Sequence, residues 1–491
     1  MRVGKNDDVD KNIPKFWYNG TIVLLRQGCL HRSMKKLFQR LRIWYRTLQP
    51  VYALLLGYAS YILTVFALLC LPICLTDSHV SVVDTLFTAV AAISTAGLQT
   101  VNFSETYNFL GQFVILLGIQ IGGLGYMTLG SLVILASKGH LSRNRLNVGK
   151  AVLAMPESFD PNRFFRHIAV FTLSIELIGA VILWFCFLST GIPNPLWAAI
   201  FHSVSAFCTA GISIFPDNLE QFSGHTAICL TIAVLSLLGG IGFIVLEDLY
   251  RSFKSKRFRA TLTTRIILAS TFGAIAVGTA FLFFDPNLAA LPLQQRSLTA
   301  FFQATVALTT SGFNTIPISN LAAASMIVVI ILMMLGASPS GTGGGLKSTT
   351  WSAALAAIMS FLRNDEEVTF FNSKVPHGRI IAAFASITLY LTTFAVGIYC
   401  LLLSETLTKT LTFQGIVFET AAALGTAGLS HGITEELSTI GKLIVITLMF
   451  VGRLGVVSLA LGAVALYHDI AHDQDNPEGR SQIVKESDIV L

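Results

Sequence analysis

Charge is what this chain has least of: 12% of its 491 residues are Asp, Glu, Lys or Arg, against roughly 25% in an ordinary soluble domain. With 53% hydrophobic residues, that scarcity excludes a soluble fold and points to a polytopic membrane protein. Clusters able to do bond-breaking chemistry are missing as well. The apolar runs hold no paired carboxylates, no histidine pair at ligand spacing and no serine–histidine arrangement. A membrane-embedded enzyme would need such groups, so none is expected. Seven cysteines (Cys29, Cys70, Cys74, Cys186, Cys208, Cys229 and Cys400) are odd in number and dispersed, which makes neither a disulfide framework nor a thiolate metal site. No cleavable signal peptide is expected, since the first long apolar run starts near Val51.

Long apolar runs occupy about 51–75, 109–137, 164–189, 225–250, 264–284, 322–362, 378–403 and 439–468. Each is near or above the ~20 residues that cross a bilayer. Of 33 Lys and Arg, only Arg296, Lys409 and Lys442 fall in one alternate set of connections, and Lys347 and Arg453 lie inside apolar runs. The other 28 gather in residues 1–50, in the loops 138–166, 251–265 and 363–379, and near the C-terminus. By the positive-inside rule these segments and both termini face the cytoplasm of a multi-pass protein in the cytoplasmic membrane. The net charge of +6 therefore reflects topology rather than a nucleic-acid surface. Residues 31–47 alternate basic and apolar side chains at helical spacing, which suits an amphipathic helix on anionic membrane lipid.

Between the runs lie four shorter stretches, each ending in Thr-small-Gly. They are Ser94-Thr95-Ala96-Gly97-Leu98-Gln99, Cys208-Thr209-Ala210-Gly211-Ile212-Ser213, Thr309-Thr310-Ser311-Gly312-Phe313-Asn314 and Gly425-Thr426-Ala427-Gly428-Leu429-Ser430. The glycines are 114, 101 and 116 residues apart, which defines an internal repeat of span, re-entrant segment and span. The units are 51–137, 163–250, 264–362 and 377–468, flanked by a basic segment 1–50 and a tail 469–491. The fold class is thus all-α, with four pseudo-symmetric units around one pore. Short apolar helices precede each glycine at Val83–Ile93, Leu196–Phe207, Leu298–Leu308 and Phe413–Leu424, and ten or so residues reach about halfway across the membrane. Their C-terminal ends carry partial negative charge toward the midplane. Carbonyls of Thr95, Ala96, Gly97, Thr209, Ala210, Gly211, Thr310, Ser311, Gly312, Thr426, Ala427 and Gly428 could then replace the water shell of a dehydrated monovalent cation. A single Thr-small-Gly would ordinarily mark close helix packing; four in register outweigh that reading.

The sixth run is about twice the needed length and is broken by Ala337-Ser338-Pro339-Ser340-Gly341-Thr342-Gly343-Gly344-Gly345-Leu346-Lys347. Backbone opened in this way must line a cavity inside the protein, because lipid offers its freed groups no partner. Arg453, between Gly452 and Gly455, is expected to donate to carbonyls of that loop and to repel cations there, with snorkelling to the interface as the alternative. Lys347 either joins it or reaches cytoplasmic water. Asp84 is expected to cap its half-helix, Glu419 and His202 to brace the turns from behind, and Glu176 to be a buried hydrogen-bonded carboxyl or a coupling group. Glu105, Asp217, Glu220, Glu435 and Glu436 could concentrate cations at the outer mouth.

The four turns, the Ser-Pro-containing break with its Gly-Gly-Gly-Leu-Lys end, and the pairs Gly122-Gly123 and Gly239-Gly240 resemble the Trk/Ktr/HKT superfamily of potassium transporters, over about residues 51–468. At the break the family usually shows Gly-Gly-Ser-Pro-Gly-Ser-Thr, where this chain has Gly336-Ala337-Ser338-Pro339-Ser340-Gly341-Thr342. The likeness is nearest to bacterial Trk and Ktr membrane subunits. It implies potassium uptake, with potassium as substrate at the filter and no cofactor in this chain. It also implies that Gly97, Gly211, Gly312 and Gly428 favour potassium over sodium. Ser340, Gly341, Thr342, Gly343, Gly344, Gly345 and Lys347, with Arg453, become a gate. A homodimer and a cytosolic ring of nucleotide-binding subunits (NAD, ATP or ADP type) are the implied partners, besides membrane lipid. Within transport, the alternative is a sodium- or proton-coupled symporter.

Overall fold

A computed structural model describes residues 50–76, 80–136, 161–255, 260–365, 367–371, 373–406 and 411–456. The amphipathic segment 31–47, the tail 469–491 and the loop 138–160 lie outside these residues. The described residues from Leu54 onward form one compact unit.

Helices follow one another as α1 Pro50–Leu69, α2 Val82–Ser94, the single turn α3 Phe103–Thr106, α4 Phe109–Ala136, α5 Pro161–Thr190, α6 Pro195–Phe207, α7 Thr226–Ile241 and α8 Phe243–Ser255. Next come α9 Leu262–Phe283, α10 Leu293–Leu308, α11 Ala323–Leu335 and α12 Ser348–Leu362. A two-residue hairpin, β1 Thr369–Phe370 with β2 Ser373–Lys374, pairs antiparallel. The described residues close with α13 His377–Thr406, α14 Phe413–Leu424 and α15 Thr439–Leu454. Continuous stretches long and apolar enough to cross a bilayer are Ile168–Thr190, Leu262–Phe283 and His377–Glu405. The fourth expected span, 225–250, is not straight: α7 and α8 meet at 93° across Gly242. The sixth is interrupted between α11 and α12, as its glycines and proline predict.

Local chemistry sets where the four short helices begin. Ser81 caps α2, accepting from the Asp84 N–H at 3.1 Å and donating to Asp84 Oδ2 at 2.7 Å, a reciprocal arrangement that orders the first turn. Thr412 caps α14 through the Gly415 N–H, Pro195 opens α6 and Pro292 precedes α10, each removing or satisfying a donor with no helical partner. The helices are deeply buried and rich in small residues: Ala89, Ala91 and Ala92 in α2, Ala421, Ala422 and Ala423 in α14. Small side chains permit the backbone proximity on which packing within a membrane depends. Each short helix is also packed by a helix from the neighbouring unit. α4 lies on α6, α7 on α10, α11 on α14, and α15 on α2. The last of these closes the circuit, tied by Lys442 Nζ to Asp84 Oδ1 at 2.7 Å. On α13, by contrast, Ile381, Phe384, Leu391, Val396 and Tyr399 are exposed, as suits a face toward lipid.

Candidate functional site

All four short helices end in one backbone motif. The N–H groups of Thr95, Thr209, Thr310 and Thr426 bond carbonyls three residues back, and those of Ala96, Ala210, Ser311 and Ala427 bond carbonyls five residues back. That pair of bonds is the Schellman ending, in which the residue after the cap is left-handed and usually glycine. Here it is threonine, with φ between 47° and 56° in the four turns. A β-branched residue with positive φ is a genuine outlier, held there only when its surroundings over-determine it. Two residues on, Gly97, Gly211, Gly312 and Gly428 are again at positive φ, from 65° to 75°.

What over-determines the threonines is a ring of backbone. A Cβ added to Gly97 would lie 2.2 Å from the Ala210 carbonyl oxygen, one on Gly211 2.2 Å from that of Ser311, one on Gly312 2.7 Å from that of Ala427, and one on Gly428 2.5 Å from that of Ala96. First faces second, second third, third fourth, and fourth first. Only glycine permits so close an approach at all four positions.

The ring's oxygens are where the chemistry lies. Thr95, Ala96, Thr209, Ala210, Thr310, Ser311, Thr426 and Ala427 are all fully buried. Among the described residues, none of their carbonyls accepts a hydrogen bond. The hydroxyls of Thr95 and Thr426 are likewise buried without a partner. Native proteins pair more than nine in ten buried carbonyls, so eight orphans in one ring call for a ligand. It must be electron-poor and ready to take neutral oxygens. Among the described residues no carboxylate supplies charge there: Asp84 is engaged by Lys442, and Glu419 Oε1 accepts from Ser430 Oγ and the His431 N–H. Divalent ions favour carboxylate ligands, so neutral carbonyls suit a monovalent cation. Behind the second turn, His202 stacks on Phe215 at 4.6 Å. Its Nδ1 faces the Ala198 carbonyl and must donate, leaving Nε2 to accept from Ser213 Oγ at 2.9 Å. Farther out, Glu220 Oε1 accepts from Asn314 Nδ2 at 2.8 Å and links the segments after the second and third turns. Burial, and Asp217 next to it, push the Glu220 carboxyl above the ordinary range.

Against the helix-end side of the ring lies the 337–347 loop. Thr342 Oγ1 donates to the Phe207 carbonyl at 3.0 Å and accepts from Thr209 Oγ1 at 3.2 Å. Gly343 abuts the Thr309 carbonyl, and Gly344 sits against Gly425 and Thr426 while its N–H bonds Thr310 Oγ1 at 2.9 Å. Ser340 and Gly341 turn to α7 and α8, and Gly345 folds back on Gly336. Lys347 Nζ donates to the Gly343 carbonyl at 2.8 Å. The loop thus bears on the second, third and fourth turns. Arg453 supplies the link toward the first: Nη1 donates to the Thr342 carbonyl and Nη2 to that of Gly122 at 2.7 Å, while Gly122 packs on Ile93 at the end of α2. Its planar fork is what lets one side chain hold two backbone acceptors from separate elements.

Several of these contacts have no local signal in the chain. Gly122 as an acceptor for Arg453, Lys442 as the partner of Asp84, and Gln120 with Cys208 as neighbours of Glu176 join residues far apart in sequence. Gln120 Nε2 donates to Glu176 Oε2 at 3.2 Å, and Cys208 Sγ lies 3.8 Å from Oε1. Glu176 is therefore not isolated.

A membrane protein built around unpaired main-chain oxygens falls, on its chemistry, into the class of cation transporters. Similarity to known proteins agrees. A family model described as TrkH, cation transport protein, matches residues 60–474. The Ktr system potassium uptake protein B of Bacillus subtilis is 35% identical over 412 residues, covering 83% of this chain and 91% of that one. Its namesake in Vibrio alginolyticus is 32% identical, covering 83% and 90%. The potassium/sodium uptake protein NtpJ of Enterococcus hirae is 31% identical, covering 84% and 92%. The crystal structure of the potassium transporter TrkH from Vibrio parahaemolyticus superposes with a TM-score of 0.62 at 19% identity, covering 82% of this chain and 84% of that one. The chain belongs to the Trk/Ktr family of membrane cation transporters.

Proposed function

We propose that this chain carries potassium into the cytoplasm, down its electrochemical gradient, through the ring of four turns. The observation that carries the reading is the set of eight buried carbonyls, two from each turn, with no partner among the described residues. Four units, each a span, a half-helix and a span, contribute one turn apiece around a single axis. Oxygens of Thr95, Ala96, Gly97 and their counterparts in the other three turns replace the hydration shell of the ion, and the four half-helix ends add a negative potential. Potassium rather than another alkali ion follows from the names of the relatives. The gate is the loop Ser340–Gly345 with Lys347 and Arg453, whose guanidinium charge and whose backbone obstruct the passage beneath the ring. Both termini and the basic loops face the cytoplasm, which puts the gate on the inner side.

Ktr system potassium uptake protein B is, by its name, one component of a system. A cytosolic nucleotide-binding ring would be the other component here, and a second copy of this chain or lipid would cover the apolar α13. The competing route, coupling to sodium or protons, takes its support from the relative named for both potassium and sodium. Against it, Glu176 is occupied by Gln120 and Cys208. Potassium flux that continues without sodium and at fixed pH is the uncoupled outcome.

The test is tracer flux of potassium and sodium into proteoliposomes containing the parent, Gly97→Ser or Arg453→Ala. Gly97→Ser should erode the preference for potassium, because its Cβ would enter the space of Ala210. Arg453→Ala should raise flux through the closed protein. An ion preference unmoved by Gly97→Ser would remove the ring from selectivity.

A further inference from the structure

The fourth span bends where nothing in its own sequence requires a bend. Gly239-Gly240-Ile241-Gly242 and Gly122-Gly123-Leu124-Gly125 follow one pattern. Helix α4 continues through the second tetrapeptide, whereas the first turns the chain by 93°, with Gly242 at φ 88°. The difference lies in what is docked there. In a continuous helix the Phe243 N–H would bond the Gly239 carbonyl and the Ile244 N–H that of Gly240. Instead, Gly239 accepts from the Thr342 N–H at 3.0 Å and Gly240 from the Ser338 N–H at 3.0 Å. The Phe243 N–H goes to the Ser340 carbonyl at 3.2 Å, the Ile244 N–H to Ser340 Oγ at 3.3 Å, and the Ile241 carbonyl accepts from Ser338 Oγ at 2.5 Å. Five main-chain groups freed by the bend are satisfied by the loop, which stands between pairs that would otherwise satisfy each other.

We propose that loop and bend form a two-position switch: when the 338–342 segment withdraws, the fourth span recovers its own helical bonds at 239–245 and α8 swings into line with α7. This rests on the reading of the loop as the gate. Groups at membrane depth cannot be left bare, so the loop's departure and the straightening must occur together. The two hydrogen-bond sets exclude each other, giving two discrete states rather than a continuum. A latch holds the bent state at its far end. Asp248 Oδ2, on α8, accepts from both Thr261 Oγ1 and Thr264 Oγ1 at the start of α9, each at 2.5 Å. A force applied to α8 therefore reaches the loop along a rigid helix, through contacts made at Gly242 itself.

Spin labels at Val234 on α7 and Tyr250 on α8, both exposed, read the switch by dipolar distance measurement in a full-length chain whose native cysteines are replaced by alanine. Sixteen residues of straight helix span about 24 Å, and a right-angle bend at the midpoint brings the ends to about 17 Å. A Cβ at residue 242 would lie 2.4 Å from Ser340 Oγ and disfavours the positive φ. Gly242→Ala should therefore lengthen the distance by about 7 Å and raise tracer flux through the closed protein. The double variant Ser338→Ala, Ser340→Ala leaves Gly242 intact and should act in the same direction, should the alanine at 242 prevent folding. An unchanged distance in these variants overturns the switch. A longer distance with unchanged flux keeps the exchange of bonds and overturns the loop as gate.

Discussion

Two levels of this molecule treat sequence in opposite ways. In the ring, four segments of one Thr-small-Gly pattern adopt one backbone, each with a left-handed threonine, a small residue and a left-handed glycine. On the helix-end side, segments of nearly one sequence adopt different backbones. Gly122–Gly125 continues a helix, whereas Gly239–Gly242 bends one with Gly242 at φ 88°, and in Gly452-Arg453-Leu454-Gly455 the helix is interrupted at Gly455, φ 82°. Uniformity in the ring is set by neighbours of the same kind, since each turn presses on the next. Diversity on the other side is set by unlike neighbours: a loop docks on one segment, and a guanidinium bonds another. On the proposed function, identical surroundings suit a site that holds one ion symmetrically, and unequal ones suit a part that moves.

The comparison is broken most severely by crowding the ring. Gly211→Val would place a Cβ 2.2 Å from the Ser311 carbonyl oxygen at an unfavourable φ, and potassium tracer flux should fall by at least about tenfold, the equivalent of 1.4 kcal/mol. Next in size is the closing contact. Lys442→Met leaves Asp84 without its cation in a largely buried site, so thermal unfolding in detergent should move down by the equivalent of about 1 kcal/mol; an unaltered melting temperature would show that packing alone holds α15 against α2. Thr95→Gly sharpens the idea that neighbours impose the strain. It removes a hydroxyl that has no partner and relieves a left-handed residue, so stability should rise by up to about 1 kcal/mol while selectivity falls. Smallest of all is Ile241→Leu, which gives the fourth span's Gly-Gly-Ile-Gly the same residues as Gly122–Gly125. The bend should persist and flux should stay within about twofold, because the substitution conserves volume; a straightened span would return control of the bend to the local residues.

The same contrast explains what is legible in the chain alone. Thr-small-Gly stands out four times because a positive-φ glycine and a short apolar helix each leave a local mark. The break at 337–347 is legible because proline and a glycine run cannot continue a helix. Asp84 at the start of its helix is equally local, and Ser81 completes the cap with it. The right angle at Gly242 is invisible, since an equivalent tetrapeptide in α4 stays helical and only the docked loop separates the two. That Arg453 grips Gly122 as well as the loop cannot be read either, for the two are separated by 331 positions in sequence. Left-handed threonine runs against the expectation that glycine fills that place. Its cause is the closed ring, which no single turn encodes.

The contact of Gly428 with Ala96 and Gly97 also sets an order of events during synthesis. A circle whose two ends meet cannot exist until its fourth member has emerged, and that member follows the third by 116 residues. Nascent chains therefore hold three of the four corners but no closed ring. Arg453 arrives 25 residues after Gly428, within the span that next enters the bilayer. On the proposed function, plug and hole are completed almost together.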